Sequence, residues 1–259
     1  MELRILTSQL LDDYKIIVKE SPLDKLNKIK QIEIPVDYFK FYKSVSSVYS
    51  SKIEGEDIDF DSYFKYKFLK VRFKRDYTRK ADDLYAAYDF IETNTLCLKN
   101  VQKTHSILSS SLLPKSQGGL IRTNPMFVIN NDDRIEYVAA RPEIVKQEIE
   151  RLFDDVTILL NADLGHFEIF YYAAMLHLVF VKIHPFQDGN GRTARLIEKW
   201  FLIEKLGQKA TSIQLEKNYF KNLNDYYSNI RKLGLEYDDL DYSKSLDFLL
   251  MTVNGIKAD

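Results

Sequence analysis

The chain has 259 residues, with 37 basic and 38 acidic side chains and a formal net charge of −1. This near balance argues against a dedicated nucleic-acid-binding protein, which usually carries a broad basic surplus. Because Cys97 is the only cysteine and the first residues lack the basic-then-apolar layout of a signal peptide, we expect a soluble, cytoplasmic protein rather than a disulfide-stapled secreted one.

Most of the sequence predicts helices. The first begins near Pro35 and ends before Gly55, because apolar residues recur every three or four positions between these boundary residues. A second is predicted from about Ala81 to Lys99, and a third from Pro142 to Leu160. The segment from His166 to Ile183 is apolar on nearly every face, which is typical of a buried central helix, and its strongly apolar part is too short to cross a bilayer.

A β-hairpin interrupts this helical pattern. Two short β-prone runs, Met126 to Ile129 and Ile135 to Val138, flank the polar stretch Asn130 to Asp133. A last strong helix is predicted from about Arg192 to Leu206, with Gly207 as its end. No internal repeat and no convincing linker is present, so we predict one continuous, predominantly all-α unit.

An anion-binding pattern lies between the two most hydrophobic helices, in the sequence HPFQDGNGRTAR that begins at His184. The turn Gly189-Asn190-Gly191 leads into a helix N-terminus, where backbone N–H groups and the helix dipole favour an anion. Arg192 and Arg195 lie on one face of the first turn of this helix, although cations there oppose the dipole. A polyphosphate gives a reason for both, because guanidinium groups bind phosphate oxygens in a bidentate manner.

Two more side chains of this stretch carry chemistry. His184, with an ordinary pKa of about 6.5, is suited to act as a general base near neutral pH. Asp188 is suited to Mg²⁺, which typically takes one or two carboxylates together with substrate phosphates and water. Together these residues predict transfer of a phosphorus-containing group to a hydroxyl.

The stretch from His184 to Arg195 resembles the signature of the Fic family, in which a histidine, a phenylalanine, an acidic residue and Gly-Asn-Gly-Arg precede a final arginine. All defining positions match, so a chance match is improbable. The resemblance covers at least Leu84 to about Arg231 and implies an all-helical core with a β-hairpin flap. It further implies an N-terminal helical region, residues 1–80, packed on a core with C-terminal helices, residues 81–259.

The resemblance implies a protein adenylyltransferase. His184 would deprotonate a Ser, Thr or Tyr hydroxyl of a target protein, the target being another protein or the chain itself. The oxygen would then attack the α-phosphate of ATP, with Mg²⁺ held by Asp188. Phe186 would anchor the loop in the core. The residues implied to hold the phosphates are Gly189, Asn190, Gly191, Arg192 and Arg195.

The same family supplies an argument about the kind of group transferred. The Doc branch, which phosphorylates its targets, carries a lysine at the position of Gly191. The glycine here therefore favours nucleotidyl transfer. Three alternatives stay open: removal of AMP from a target, transfer of another nucleotide such as UMP, and a module that senses nucleotide without turnover. The intact His184 argues against the last of these.

A second resemblance lies upstream, in Ser50-Ser51-Lys52-Ile53-Glu54-Gly55, which is similar to the inhibitory motif of Fic proteins. Ser50 and Glu54 are four residues apart on a predicted helix and therefore share a face. The family implies that Glu54 pairs with Arg195 and displaces the γ-phosphate from its productive place. Inhibition would then be intramolecular, with a carboxylate and a phosphate competing for one guanidinium.

Three further assignments concern adenine contacts, the flap and a basic segment. Adenine contacts are expected at Asn218, Tyr226 and Tyr227, with a buried tyrosine pair as an equal alternative. The flap would align a target segment by strand addition through Phe127, Val128 and Ile129. Lys65 to Lys80 is rich in lysine, arginine and aromatic residues, and we expect a solvated helix face there rather than a docking surface for an acidic partner or nucleic acid. The other three histidines, His105, His166 and His177, are expected to be structural or solvated.

Overall fold

The computed structural model describes residues 2–29, 36–129 and 135–257. Within these ranges the chain forms twelve α-helices, one two-stranded antiparallel sheet and three short 3₁₀ turns. The fold is thus predominantly α-helical with a small hairpin, as the sequence predicted. The helices before the sheet are α1 (Leu11–Val18), α2 (Pro22–Lys28), α3 (Tyr38–Ile53), α4 (Phe60–Leu69), α5 (Arg75–Ile91) and α6 (Leu98–Leu108). Those after it are α7 (Pro142–Asn161), α8 (His166–Ile183), α9 (Asn190–Leu206), α10 (Leu215–Lys221), α11 (Leu223–Arg231) and α12 (Leu246–Val253).

Helix α8 is the centre of the molecule. It is buried on nearly every face and packs against α7, α9 and α12, as its all-round apolar sequence predicted. The carboxylate of Glu168 closes its first turn by accepting a hydrogen bond from the Gly165 N–H at 2.7 Å. In length and composition α8 would be able to cross a membrane, but 78% of it is buried inside the protein, as expected for a core helix.

Helix α3 carries the motif that resembles the inhibitory one. It begins with Asp37, whose carboxylate accepts from the Lys40 N–H at 3.0 Å, and it ends where Gly55 adopts a positive φ of 83°. The predicted start at Pro35 lies outside the described residues. One face of α3 is lined with buried serines and packs against α5 and α10, which brings its C-terminal end to the start of α9.

The predicted helices from Pro142 to Leu160 and from Arg192 to Leu206 are confirmed, since α7 and α9 cover both ranges. The helix predicted from Ala81 to Lys99 is wrong, because α5 ends at Ile91 and α6 begins only at Leu98. The Asn94 amide donates to the Phe90 carbonyl at 2.8 Å, and this local bond competes with continued helix.

The basic segment from Lys65 to Lys80 is not one helix face either. Helix α4 ends at Leu69, Lys70 adopts a left-handed φ of 59°, and α5 begins at Arg75. Asp82 pairs with Lys67 at 3.1 Å, so part of the segment's charge is neutralised within the fold.

The predicted hairpin is present. Strand β1 (Phe127–Ile129) pairs antiparallel with β2 (Ile135–Val138), with Val128 opposite Tyr137. The predicted turn from Asn130 to Asp133 lies outside the described residues. The N–H of Val138 also donates to the Leu235 carbonyl at 2.8 Å, which joins the hairpin to the segment after α11.

Candidate active site

His184 is the first residue after α8 and lies at the mouth of the loop that joins α8 to α9. It adopts a left-handed conformation, with φ 53° and ψ 59°, which is uncommon for a non-glycine residue and costs about 1–3 kcal/mol. Its Nδ1 lies 3.0 Å from the Val181 carbonyl oxygen. Because that oxygen can only accept, Nδ1 carries the proton and Nε2 keeps its lone pair when the ring is neutral.

The ring of His184 is held in its neutral form. Burial disfavours the imidazolium and lowers the pKa of His184 to about 4, against smaller opposing effects from the Val181 carbonyl and from nearby carboxylates. The side chain is nevertheless partly exposed to solvent, so a substrate proton has access to it. The geometry therefore gives a neutral imidazole whose Nε2 has no hydrogen-bond partner among the residues that the structure describes.

The loop after His184 is fixed by its own side chains. The amide of Asn190 accepts from the Phe186 N–H at 2.9 Å and donates to the Phe186 carbonyl at 2.8 Å. Both ends of this buried amide thus hold the loop, while the main-chain N–H of Asn190 lies in the first turn of α9. The Phe186 ring is fully buried, as predicted for the anchor of the loop.

His105 on α6 packs against the same loop and holds it by a hydrogen bond. Its ring stacks on Phe186 with centroids 3.8 Å apart. Its Nδ1 accepts from the Gly119 N–H at 2.8 Å, so the Nε2–H donates to the Asp188 carbonyl, also at 2.8 Å. Gly189 adopts a positive φ of 76°, which favours glycine, and a Cβ there would lie 3.3 Å from Leu108 Cδ1 and 3.4 Å from His105 Nε2.

Helix α9 begins directly after this turn with two buried arginines. Arg192 and Arg195 are 4% and 1% exposed, although the positive end of the helix dipole makes this an unfavourable place for cations. The Nε of Arg192 is buried and has no hydrogen-bond partner within the described part of the chain. A buried, unsatisfied guanidinium N–H beside a helix N-terminus is a donor aimed at an anion.

Arg195 is occupied by the end of α3. Its Nε donates to the Ser50 hydroxyl at 2.9 Å, and its Nη2 donates to Glu54 Oε1 at 2.6 Å and to the Ser50 carbonyl at 3.3 Å. Burial alone would raise the pKa of Glu54, but Arg195 and Arg192 hold it below its ordinary value. The sequence-predicted pair of Glu54 and Arg195 is thus brought together as a charge-assisted contact.

The carboxylate of Glu54 also lies close to the main chain of Gly191 at the start of α9. A Cβ built on Gly191 would lie 2.8 Å from Glu54 Oε1 and 3.2 Å from Arg195 Nη1, so a larger residue there would have to displace the ends of these side chains. The carboxylate therefore lies at the first turn of α9, where a helix N-terminus favours an anion.

The comparisons with known proteins agree with this geometry. Residues 95–202 match the Fic/DOC family. The matched span contains the whole stretch from His184 to Arg195, so the part of the chain that holds the candidate site is similar to a Fic/DOC domain. A Fic family protein from Desulfovibrio desulfuricans G20 superposes with a TM-score of 0.71 at 16% identity, covering 99% of this chain and 74% of that one. A Fic domain containing signaling protein from Bacteroides thetaiotaomicron gives 0.68 at 18% identity, covering 94% of each chain.

Curated relatives match over shorter stretches. The protein adenylyltransferase Fic of Nematostella vectensis is 30% identical over 116 residues, which is 45% of this chain and 24% of that protein. The uridine 5'-monophosphate transferase of Xanthomonas campestris is 56% identical over 39 residues, which is 15% of this chain and 7% of that protein. The chain thus spans less than a quarter of the length of these relatives. The motif ending at Gly55 and the tyrosines at 226 and 227 lie outside the matched Fic span.

A second carboxylate beside the Fic loop, His184 to Arg195, was not foreseen. Glu56 lies 3.6 Å from Arg192 Nη2 and also pairs with Lys80. Both arginines of the Fic signature therefore face a carboxylate from the short segment that follows α3. The only signal in the sequence was an acidic residue two positions after Glu54.

The expected adenine contacts are not supported at two of three positions. The Tyr226 ring is 1% exposed and packs against other aromatic rings, so it offers no face for stacking, and Asn218 is buried with its amide donating to the Met251 carbonyl at 3.0 Å. Tyr227 is partly exposed beside α3, and its hydroxyl donates to the Ile53 carbonyl at 3.1 Å. Tyr227 thus remains available, and its adenine contact stays a prediction.

Tyr226 instead belongs to a buried hydrogen-bond chain behind Arg195. Its hydroxyl lies 3.3 Å from Arg195 Nη1 and 3.0 Å from His177 Nε2. His177 Nδ1 lies 2.6 Å from a carboxylate oxygen of Glu198, which also accepts from Tyr219. Since Nδ1–H donates to that carboxylate, the Tyr226 O–H donates to His177 and its oxygen accepts from the guanidinium. The chain fixes the orientation of Arg195 from the core side.

Asp188 and the flap have the exposure that their predicted roles need. The Asp188 side chain is exposed at the edge of the Fic loop, with Oδ1 accepting from the Gly189 N–H at 2.6 Å. The described residues contain no cluster of three or more possible metal ligands, so a cation here would take one carboxylate and complete its shell from phosphates and water.

On the flap, Phe127 and Ile129 are exposed while Val128 is half-buried.

Proposed function

We propose that this protein transfers AMP from ATP to a hydroxyl of a protein target, with its own chain as one possible target. The observation that carries the proposal is the neutral imidazole of His184 beside a helix N-terminus that buries two arginines. A base with a free Nε2 serves an attacking hydroxyl, and the helix start serves the phosphates of the donor. The names of the Nematostella and Xanthomonas relatives support a nucleotidyl transferase.

In the proposed step the hydroxyl oxygen of a Ser, Thr or Tyr attacks the α-phosphorus of ATP. The new bond joins that oxygen to phosphorus, and the bond from the α-phosphorus to the bridging oxygen of the β-phosphate breaks. AMP remains on the target and pyrophosphate leaves. The hydroxyl proton goes to Nε2 of His184, because Nδ1 already donates to the Val181 carbonyl.

Other residues of the loop would bind the phosphates of the donor nucleotide. The N–H groups of Gly189, Asn190 and Gly191 stabilise phosphate charge, and the two arginines of α9 hold the outer phosphates. Mg²⁺ bound with ATP would neutralise phosphate charge beside Asp188, whose single exposed carboxylate fits the usual coordination of this ion. A cytoplasmic location suits both the ATP requirement and the lone thiol of Cys97.

We further propose that the enzyme is inhibited by its own Glu54. A γ-phosphate bound to Arg195 would have to take the position of a carboxylate that lies 2.6 Å from Nη2. The same carboxylate crowds Gly191, where the phosphates would approach the helix start. The two anions therefore compete for one guanidinium and one helix end.

The test is incubation of purified Glu54→Gly protein with Mg²⁺ and ATP, followed by intact-mass spectrometry. We expect one or more added AMP groups on the protein itself or on a protein of an added cell lysate. The double variant Glu54→Gly with His184→Ala is the matched control and should bind ATP without any mass gain. If the double variant gains the same mass, the assignment of the base is wrong.

A second candidate is UMP transfer, because the local match to the Xanthomonas protein is named for that reaction. Parallel incubations with UTP, GTP and CTP decide between donors by the mass added. Removal of AMP is tested by offering the product of the first reaction to fresh enzyme without ATP. Nucleotide binding without transfer from any donor would instead favour a sensing module.

A further inference from the structure

A buried arginine outside the Fic loop joins that loop to the flap. Arg122 is 4% exposed, and its guanidinium donates to main-chain carbonyls from three separate segments. Its Nε donates to the His184 carbonyl at 2.7 Å, and its Nη2 donates to the Ile183 carbonyl at 3.3 Å and to the Ala140 carbonyl. Its Nη1 donates to the Asn124 carbonyl at 2.7 Å. These acceptors lie at the end of α8, just after β2, and just before β1.

The end of α8 depends on this arrangement. The last carbonyls of a helix lack intrahelical donors and need other partners. The Val181 carbonyl accepts from the ring of His184, and the Lys182 carbonyl accepts from the hydroxyl of Tyr137 on β2. Arg122 donates to the next three carbonyls, to those of Ile183 and His184 through its side chain and to that of Pro185 through its own N–H at 2.9 Å. Every donor that does not belong to the Fic loop comes from the flap or the segment leading into it.

We propose that Arg122, assisted by Tyr137, is a positioning residue for the transfer reaction. It holds the left-handed His184 at a fixed place relative to both ends of the flap, so that Nε2 faces the hydroxyl of a target segment lying on the flap. This inference rests on the proposed function. It goes further, because it assigns the relative placement of the base and of the flap to one set of side chains, Arg122 and Tyr137, which we call the clamp.

Two features favour positioning over simple helix capping. The left-handed backbone of His184 persists only when surrounding bonds determine it, and two of those bonds come from one guanidinium. The planar fork of arginine also reaches three segments at once, which a lysine cannot reproduce. The positive charge of Arg122 additionally helps to keep the pKa of His184 below its ordinary value, after the larger effect of burial.

The experiment compares Arg122→Gln and Tyr137→Phe in the Glu54→Gly background. Lys205→Met is the matched control, because Lys205 caps the end of α7 through the carbonyls of Leu159, Leu160 and Ala162 at 3.1, 3.2 and 2.8 Å, far from the flap in sequence. We expect Arg122→Gln to lower kcat for target modification about 10- to 100-fold, while the KM for ATP changes less than about twofold. Lys205→Met should lower the melting temperature and leave kcat unchanged.

The Tyr137→Phe variant keeps the proposal testable if Arg122→Gln fails to fold. It removes one hydroxyl and keeps the ring, and we expect a smaller fall in kcat with the same unchanged KM for ATP. A folded Arg122→Gln protein with unaltered kcat overturns the proposal. So does a fall in kcat that Lys205→Met reproduces at an equal loss of melting temperature.

A readout without turnover separates this proposal from the proposed function. In ¹⁵N-histidine-labelled protein, the His184 resonances are assigned by their loss in His184→Ala. We expect the parent to show an Nδ1–H tautomer with a titration midpoint well below that of free histidine, and Arg122→Gln to raise the midpoint and mix the tautomers. If no donor supports transfer but this change occurs, the clamp stands and the proposed reaction fails. Unchanged His184 resonances in Arg122→Gln refute the clamp.

Discussion

Replacement of Glu54 by glycine is the most informative perturbation of this protein. The contact to be lost is a charge-assisted hydrogen bond of 2.6 Å between a carboxylate that is 27% exposed and a guanidinium that is 1% exposed. Such bonds contribute about 1.5–3 kcal/mol to the state that contains them. At about 1.4 kcal/mol for each factor of ten, release of Arg195 should raise the rate of transfer by roughly 10- to 150-fold.

The assay measures initial rates of AMP incorporation from labelled ATP at several ATP concentrations. Glu54→Gln is the companion variant, because it keeps the shape and one acceptor oxygen but removes the charge. We expect its activation to fall between those of the parent and of Glu54→Gly. Equal rates for parent and Glu54→Gly would show that the pair with Arg195 does not limit turnover, and the competition argument would then be refuted.

Three further predictions concern other groups of the site, all measured in the Glu54→Gly background. Since burial lowers the pKa of His184 to about 4, the base is unprotonated above that value, so kcat/KM should be level from about pH 5.5 to 8; a fall centred near 6.5 would contradict a buried neutral base. Glu56→Gln removes a partly exposed carboxylate charge that lies 3.6 Å from Arg192, a contact that contributes up to about 1 kcal/mol. The KM for ATP should therefore fall by up to about fivefold at unchanged kcat. A rise in KM would count against competition between Glu56 and ATP at Arg192. Tyr226→Phe should lower the free energy of unfolding by about 1–3 kcal/mol in urea titrations, because it leaves a buried histidine nitrogen unsatisfied, whereas Tyr227→Phe, which loses a bond at a partly exposed position, should cost less.

Contiguous patterns carried the successful predictions. The Fic loop is one uninterrupted stretch, so its turn, its helix start and its two arginines were all visible without knowledge of the fold. The pair of Glu54 and Arg195 crosses 141 residues, yet it was predicted because a family resemblance linked two short motifs. The all-round apolar sequence of α8 sufficed to identify the central helix.

Contacts that depend on three-dimensional packing were missed. Arg122 lies three residues after the pair Gly118-Gly119 and is not distinguished by any local pattern, because its contacts are to carbonyls that the fold brings together around it. His105 was expected to be structural or solvated; it is buried, and its stacking on Phe186 and its bond to the Asp188 carbonyl, which the sequence did not indicate, connect it with the loop. Tyr226 had two equal interpretations in sequence, and its burial among aromatic rings favours the core one.

The break between α5 and α6 has a more local cause. The periodic apolar stripe from Ala81 onwards is satisfied by two helices that meet at a turn as well as by one continuous helix. A short polar stretch interrupts this stripe, and there the Asn94 side-chain amide donates a hydrogen bond to the Phe90 carbonyl. Hydrophobic periodicity alone does not detect such competition, because it measures the face of a helix and not the partners of its carbonyls.

The contacts of Glu54 and Glu56 with the two arginines follow from the electrostatic demand at the start of α9. Two buried guanidinium groups at the positive end of α9 need anions, and the segment after α3 supplies two carboxylates, Glu54 and Glu56. Helix α3 itself is held independently, since the hydroxyl of Ser46 donates to the buried carboxylate of Glu216 at 2.8 Å. We therefore expect relief of inhibition to require movement of the Glu54 side chain and of the turn at Gly55, whose positive φ lies just beyond the helix end, while α3 stays packed on the core. ATP and the carboxylates would then exchange at the same two arginines without loss of the fold around them.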